Sequence, residues 1–290
     1  MESKCYHAAM GLPSLRKAAV AGSWYPADPN VLGREVDRYL EAVDRTAPGE
    51  PLAIIAPHAG LMYSGPVAAY SYKLLAGRDI DVAILVGPSH YVAFDGVALY
   101  EHGAFDTPFG AMPIDAHLAS ALALASPIVH EHPTAHIREH SLEMQLPFLK
   151  RVLPNAEIVP LVMGRQRRET VYELGAAIAA VAKGRRAVLI ASTDLSHYQN
   201  AATAATLDNT VMRHVLRFDP DGLMSALEAF PDHACGGGPT VSVMLAANAL
   251  GARDARVLKY GDSGDVSGDK DAVVGYLAAA FGSFERDRNE

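Results

Sequence analysis

The sequence predicts a single three-layer α/β/α domain with a mostly parallel central sheet, and three observations predict it. Short apolar runs at residues 52–56 (LAIIA), 82–86 (VAILV) and 187–192 (AVLIAS) each stop at proline, glycine or a polar residue. Strands covered on both faces, as in parallel sheets, have this continuous apolar pattern. Segments of helical composition separate the runs, giving the alternation of a βαβ chain. The chain has 290 residues, 50% of them hydrophobic and 20% charged, enough apolar side chains for one sizeable core.

Each element has its own signal. Residues 52–56 form a buried strand that runs into Pro57-His58, and residues 65–76 (GPVAAYSYKLLA) have helical composition. Residues 82–86 form the second strand, ended by Gly87-Pro88-Ser89-His90. Residues 115–125 read as a helix. Residues 141–153 read as another, with Ser141 as the candidate N-cap and Leu142, Leu146 and Leu149 on one face. A strand at 157–163 and a helix at 169–182 precede the strand at 187–192, which leads into Thr193-Asp194-Leu195-Ser196-His197. Gly238-Pro239 opens a helix through Leu250, with proline in its first turn. Residues 257–260 and 272–276 read as closing strands. No repeat, low-complexity tract or linker interrupts the series.

Composition narrows the function. The formal net charge is −8 and no Lys/Arg cluster marks a nucleic-acid footprint. Cys5 and Cys235 are the two cysteines, too few for a disulfide framework and in keeping with a reducing cytosol. The first thirteen residues lack the basic and apolar regions of a secretory signal. No apolar run reaches the roughly 18–20 residues that span a bilayer. The expectation is a cytoplasmic protein with no membrane and no nucleic-acid partner.

Chemistry concentrates at strand ends. Ligands of open α/β sheets sit beyond the carboxyl ends of the strands. His58 and His90 are delivered there about one βαβ unit apart, so they can converge on one metal ion. Asp194 and His197 come after a third strand in the same way. Cys235 immediately precedes a helix, where the macrodipole favours the thiolate. Two histidines and a cysteine suit a mid-row transition metal, and three protein ligands leave positions open for water or a small-molecule substrate. His197 then reads as the acid/base group, oriented by Asp194. Glu143, in the string Glu139-His140-Ser141-Leu142-Glu143, reads either as a charge complementing the helix dipole or as a member of the catalytic group. A hydrolase with Cys235 as nucleophile, His197 as base and Asp194 as orienter is a weaker alternative, because two further histidines beside a thiol suit a metal better.

Seven strings together resemble the Memo-like family, known in bacteria and archaea as AmmeMemoRadiSam system protein B. They are Gly22-Ser-Trp24-Tyr25-Pro26, Ala56-Pro-His58-Ala-Gly60 with Tyr63-Ser-Gly65, Gly87-Pro-Ser-His90, Glu139-His140-Ser-Leu-Glu143, Ser192-Thr-Asp194-Leu-Ser-His197, Cys235-Gly and Ser263-Gly-Asp-Val-Ser-Gly268. The resemblance implies a fold similar to the LigB-like class III extradiol dioxygenases, non-haem iron enzymes. It places His58 and His90 at the two histidine-ligand positions and His197 at the acid/base position. Cys235 stands where those dioxygenases place a carboxylate ligand. It further implies a mononuclear site in a metal-dependent redox enzyme, with iron (Fe2+) expected first and copper or zinc as other occupants. The alternative it implies is a non-catalytic protein whose pocket docks a peptide or pathway partner. AMMECR-domain and radical-SAM proteins are the pathway partners expected from it. In animal members Cys-Gly is followed by Arg-His-Pro, whereas here Cys235 is followed by Gly-Gly-Gly-Pro, so the basic pair is missing. The domain is expected over residues 16–284, with an N-terminal extension at 1–15 and a C-terminal tail at 285–290.

Overall fold

A computed structural model describes residues 15–44, 47 and 49–285. The expected extension and tail, Cys5 included, lie outside the described residues apart from Leu15 and Glu285. The first half of the chain forms β1 (Leu15–Arg16), α1 (Pro29–Glu41), β2 (Gly49–Ala56), α2 (Leu61–Lys73), β3 (Val82–Pro88), β4 (Val97–Leu99), β5 (Ala104–Phe105), β6 (Met112–Pro113), α3 (Ala116–Ala125), β7 (Val129–Glu131) and α4 (Pro133–Ile137). The second half forms α5 (Leu146–Val152), β8 (Glu157–Met163), α6 (Arg168–Ala182), β9 (Ala187–Ser192), β10 (His197–Gln199), α7 (Ala201–Leu216), α8 (Pro220–Ala229), α9 (Gly237–Ala249), β11 (Asp254–Asp262), α10 (Gly264–Ser267) and β12 (Val273–Phe284).

The main sheet has the order β10-β12-β2-β9-β3-β8-β4-β7, with β11 paired along β12. Its centre, β2-β9-β3-β8, is parallel throughout. Antiparallel partners close both flanks, β12 on β2 and β4 on β8. The central strands are parallel because their connections are helical crossovers, and they are apolar because both faces are covered. All seven residues of β3 are buried. One helical layer forms around α2, which packs on β2 and β12 and is joined by α1 and α5. A second forms around α9, which crosses β2, β3 and β9 and packs on α6 and α8. A three-stranded sheet, β1-β5-β6, stands apart. No helix among the described residues is long and apolar enough to cross a membrane.

Two local departures matter for the site. The expected helix over 141–153 starts instead as a 3-10 turn at Glu143–Gln145 and becomes α-helical at Leu146, with Pro147 in its first turn. Ser141 is not its cap: the Ser141 hydroxyl donates to the Pro88 carbonyl at 2.9 Å and ties this segment to the end of β3. The helix expected over 65–76 starts earlier, at Leu61, and ends at Lys73. Gly65 there faces Tyr39 of α1, and a Cβ would come within 2.7 Å of that ring, so only glycine allows the two helices this close.

Strand order positions the chemistry. β9 lies between β2 and β3, with Ala56 in register with Ser192 and Val86 in register with Ala191. The loops carrying His58, His90 and Asp194–His197 therefore leave the same end of the sheet side by side.

Candidate metal centre

His58 is buried at the end of β2. Its Nδ1 lies 2.9 Å from the Ser192 hydroxyl. That hydroxyl gives its single hydrogen to the Ser141 carbonyl at 2.6 Å and accepts from the Gln145 amide at 2.7 Å. Ser192 is therefore an acceptor towards His58, which fixes the proton on Nδ1 and leaves Nε2 with the lone pair. Nε2 in turn faces the Cys235 sulfur at 3.3 Å. Burial, and next the neighbouring His90, push His58 well below the ordinary imidazole range, so it is neutral and able to ligate.

His90 is held differently. Its Nδ1 lies 2.8 Å from Glu139 Oε1, and its backbone N–H donates to Glu139 Oε2 at 2.6 Å. Glu139 Oε1 also accepts from the backbone N–H groups of His140 and Ser141 at 2.9 and 2.8 Å. Burial alone would raise the Glu139 carboxyl, but the hydrogen bonds and charge of His90 and the Ser141 N–H overcome it and hold the group at about 2. An ionised carboxylate behind Nδ1 orients the ring and strengthens Nε2 as a donor, the usual support of a metal-bound histidine. His140 stacks on His90 with ring centres 4.4 Å apart, and Trp24 covers His140 at 4.3 Å.

Cys235 completes the group: ligand atoms of His58, His90 and Cys235 all lie within 4.8 Å of one another. Bonds of about 2.0–2.3 Å to one ion set its donors roughly 3–4 Å apart, and the 3.3 Å from His58 Nε2 to sulfur falls in that range. The donor chemistry of these three residues, with one pair already at that separation, suits a single transition-metal ion. Burial, and after it the Asp194 charge, pushes the Cys235 thiol up. The expected helix-start preference for thiolate is outweighed there, and a cation at the sulfur is what would hold it deprotonated. A second donor group, His90, Glu139 and His140, has the same spacing, but its carboxylate is already filled by four N–H donors.

Asp194 feels the charge of His197 and spends its hydrogen bonds elsewhere. Asp194 Oδ1 accepts from the backbone N–H groups of His58 and Ala59 at 2.7 and 3.3 Å, while its own N–H points at the Cys235 sulfur at 3.3 Å. Burial raises this carboxyl, and its His58 bond, the His197 charge and its Ala59 bond oppose the rise. Asp194 therefore positions two of the three donors, and no hydrogen bond joins it to His197 among the described residues. His197 begins β10 and, with His90 and Cys235, lines a cleft of about 420 Å³.

Glu143 does not join the group. It is fully buried, pairs with the buried Arg16 guanidinium, and accepts from the Tyr25 hydroxyl at 2.7 Å and from the Ala19 and Val20 N–H groups. Its carboxylate anchors the N-terminal segment instead of serving the metal donors. The acid that does serve them, Glu139, stands in the same string and carries no separate signal there, because its role depends on the 49-residue separation from His90 closing in space.

The fold and site define a class: an α/β protein with a His/His/Cys donor group at the carboxyl ends of parallel strands. The chain belongs to the Memo-like protein family, whose sequence profile matches residues 16–280. It is 39% identical over 282 residues to a MEMO1 family protein of Methanopyrus kandleri, covering 92% of this chain and 98% of that one. It is 40% identical over 267 residues to a MEMO1 family protein of Methanosarcina mazei, covering 91% and 98%. Among solved structures it is similar to an uncharacterized protein from Escherichia coli K12, with a TM-score of 0.54 and 16% identity over 81% of this chain and all of that one. That last likeness speaks to the fold alone.

Proposed function

We propose that this Memo-like protein is a metal-dependent redox protein that binds one ion, iron(II) first, through His58, His90 and Cys235. Copper or zinc would also accept these donors. The observation that carries the reading is the Ser192 hydrogen-bond network, which turns the His58 lone pair onto the Cys235 sulfur at 3.3 Å. When bound, the metal supplies Lewis acidity and, as iron or copper, one-electron exchange.

The chain's own residues do the rest. Asp194 holds the backbone of the His58 loop and donates its N–H to the sulfur. Glu139 keeps the His90 proton on Nδ1. His197 lines the cleft and in this reading takes a proton from a bound molecule and returns it at its imidazole.

Anaerobic reconstitution and subsequent metal analysis test the reading. Wild type is expected to retain about one ion per chain, and His58→Ala and Cys235→Ser far less. Trp24 is the single tryptophan and reaches His90 through His140, so its fluorescence should change on saturation with Fe2+ in wild type and not in His58→Ala. Equal, poor iron retention by wild type and His58→Ala would sink the proposal.

A further inference from the structure

Besides the cleft that carries His197, a second cleft reaches Cys235. This second cleft, about 500 Å³, approaches the same cysteine from the side of residues 164–167. Its floor is apolar, with Met224, Leu227 and Ala234 all buried. Arg165 and Arg167 also line it, and their guanidinium groups share a single carboxylate oxygen of Asp95, at 3.2 and 3.5 Å. One carboxylate cannot neutralise two guanidinium groups, and each of them keeps free N–H donors. The acid that lines this cleft, Glu228, is already gripped by Arg168 at 2.9 and 2.5 Å. A cationic surplus is thus left at one wall of an apolar cleft in a chain of net charge −8.

The residue between the two arginines ties them to the cysteine. Gln166 donates to the Cys235 carbonyl at 2.7 Å and accepts from the Gly238 N–H at 2.7 Å. A Cβ at Gly238 would meet the Gln166 side chain at 2.9 Å, so glycine is what lets the two segments lock. The loop that carries both cations is held to the segment that carries the sulfur.

We propose that this second cleft binds an organic anion, its carboxylate or phosphate head on Arg165 and Arg167 and its apolar body over Met224, Leu227 and Ala234, with the far end at Cys235. This names the substrate class of the metal centre proposed above, and it rests on that reading for the chemistry at Cys235. Binding itself does not need the metal and is measured without it.

The test uses the full chain, metal-free, titrated by ligand-observed NMR with hexanoate, butyl phosphate and the neutral hexanamide. Charge-assisted hydrogen bonds predict that hexanoate or butyl phosphate binds at least tenfold more tightly than hexanamide. The double variant Arg165→Gln/Arg167→Gln should abolish that preference with an unchanged circular dichroism spectrum, since both side chains are exposed. Added salt should weaken it in wild type. A preference for butyl phosphate over hexanoate supports the site and assigns its head group as phosphate. Equal binding of all three probes, or anion binding untouched by the double variant, overturns the inference. Failure of iron retention leaves these titrations unaffected, so loss of the anion site and loss of the metal centre give distinguishable results.

Discussion

Glu143→Gln loses about 3–5 kcal/mol of folding stability yet keeps wild-type iron content per folded chain. The first half of that result comes from burial. Arg16 and Glu143 are both nearly inaccessible, and removing one partner of a buried pair leaves the other charge without compensation. The same guanidinium also donates to the carbonyls of His136 and Glu139, so Arg16 braces the segment that carries Glu139. Glutamine keeps the volume and loses the charge. The second half comes from position, because Glu143 faces Tyr25 and the 19–20 backbone and not the donor group. Urea unfolding, with metal analysis on the folded protein, checks both. A variant as stable as wild type but stripped of metal would return Glu143 to the catalytic role expected from its sequence position.

Glu139→Gln is expected to weaken metal binding about 10–100-fold, the range for losing a carboxylate behind a metal-bound histidine. Glutamine can still accept one hydrogen bond, but it can also present its amide to His90 and exchange the tautomer. The carboxylate adds a pH signature to the metal-free protein. Its folded-state value of about 2 lies below the unfolded value of 4.5. Its contribution is therefore complete above pH 4.5 and is lost as pH falls towards 2, where folding no longer favours the charged form. The shift corresponds to about 3 kcal/mol. Stability measured from about pH 6 down to about pH 2.5 should fall more steeply in wild type than in Glu139→Gln. Parallel slopes would show that His90 does not depend on this acid.

Most of the strand framework is legible in the sequence because buried parallel strands are apolar without interruption. The runs at 52–56, 82–86 and 187–192 reappear within β2, β3 and β9. His58, His90 and Cys235 stand out because each comes just after a strand or just before a helix. Helices α1, α7 and α8 are harder to see, although Asp28-Pro29 and Asp219-Pro220 carry a cap followed by proline and Asn200 caps α7. They pack with one face only, α1 on α2 and α5, α8 on α9 and α7 on β11 and β12, so polar residues interrupt each and no continuous apolar run announces the element. The segment at 141–153 misleads for another reason. Ser141 looks like a cap, but its hydroxyl is claimed by Pro88, a partner 53 residues away. Long-range closure also hides Glu139 and gives Glu143 undue prominence, since both acids sit in one string and only folding sends them to opposite tasks.

The position of β9 between the two histidine strands makes the donors unequal. His58 leans on a neutral alcohol that has already handed its proton onward, whereas His90 leans on a full negative charge. Electron density is pushed into one ring and not the other. Chemically the two imidazoles are different ligands despite sharing a name, and exchanging their backing groups would alter the potential of any ion between them without moving a single strand.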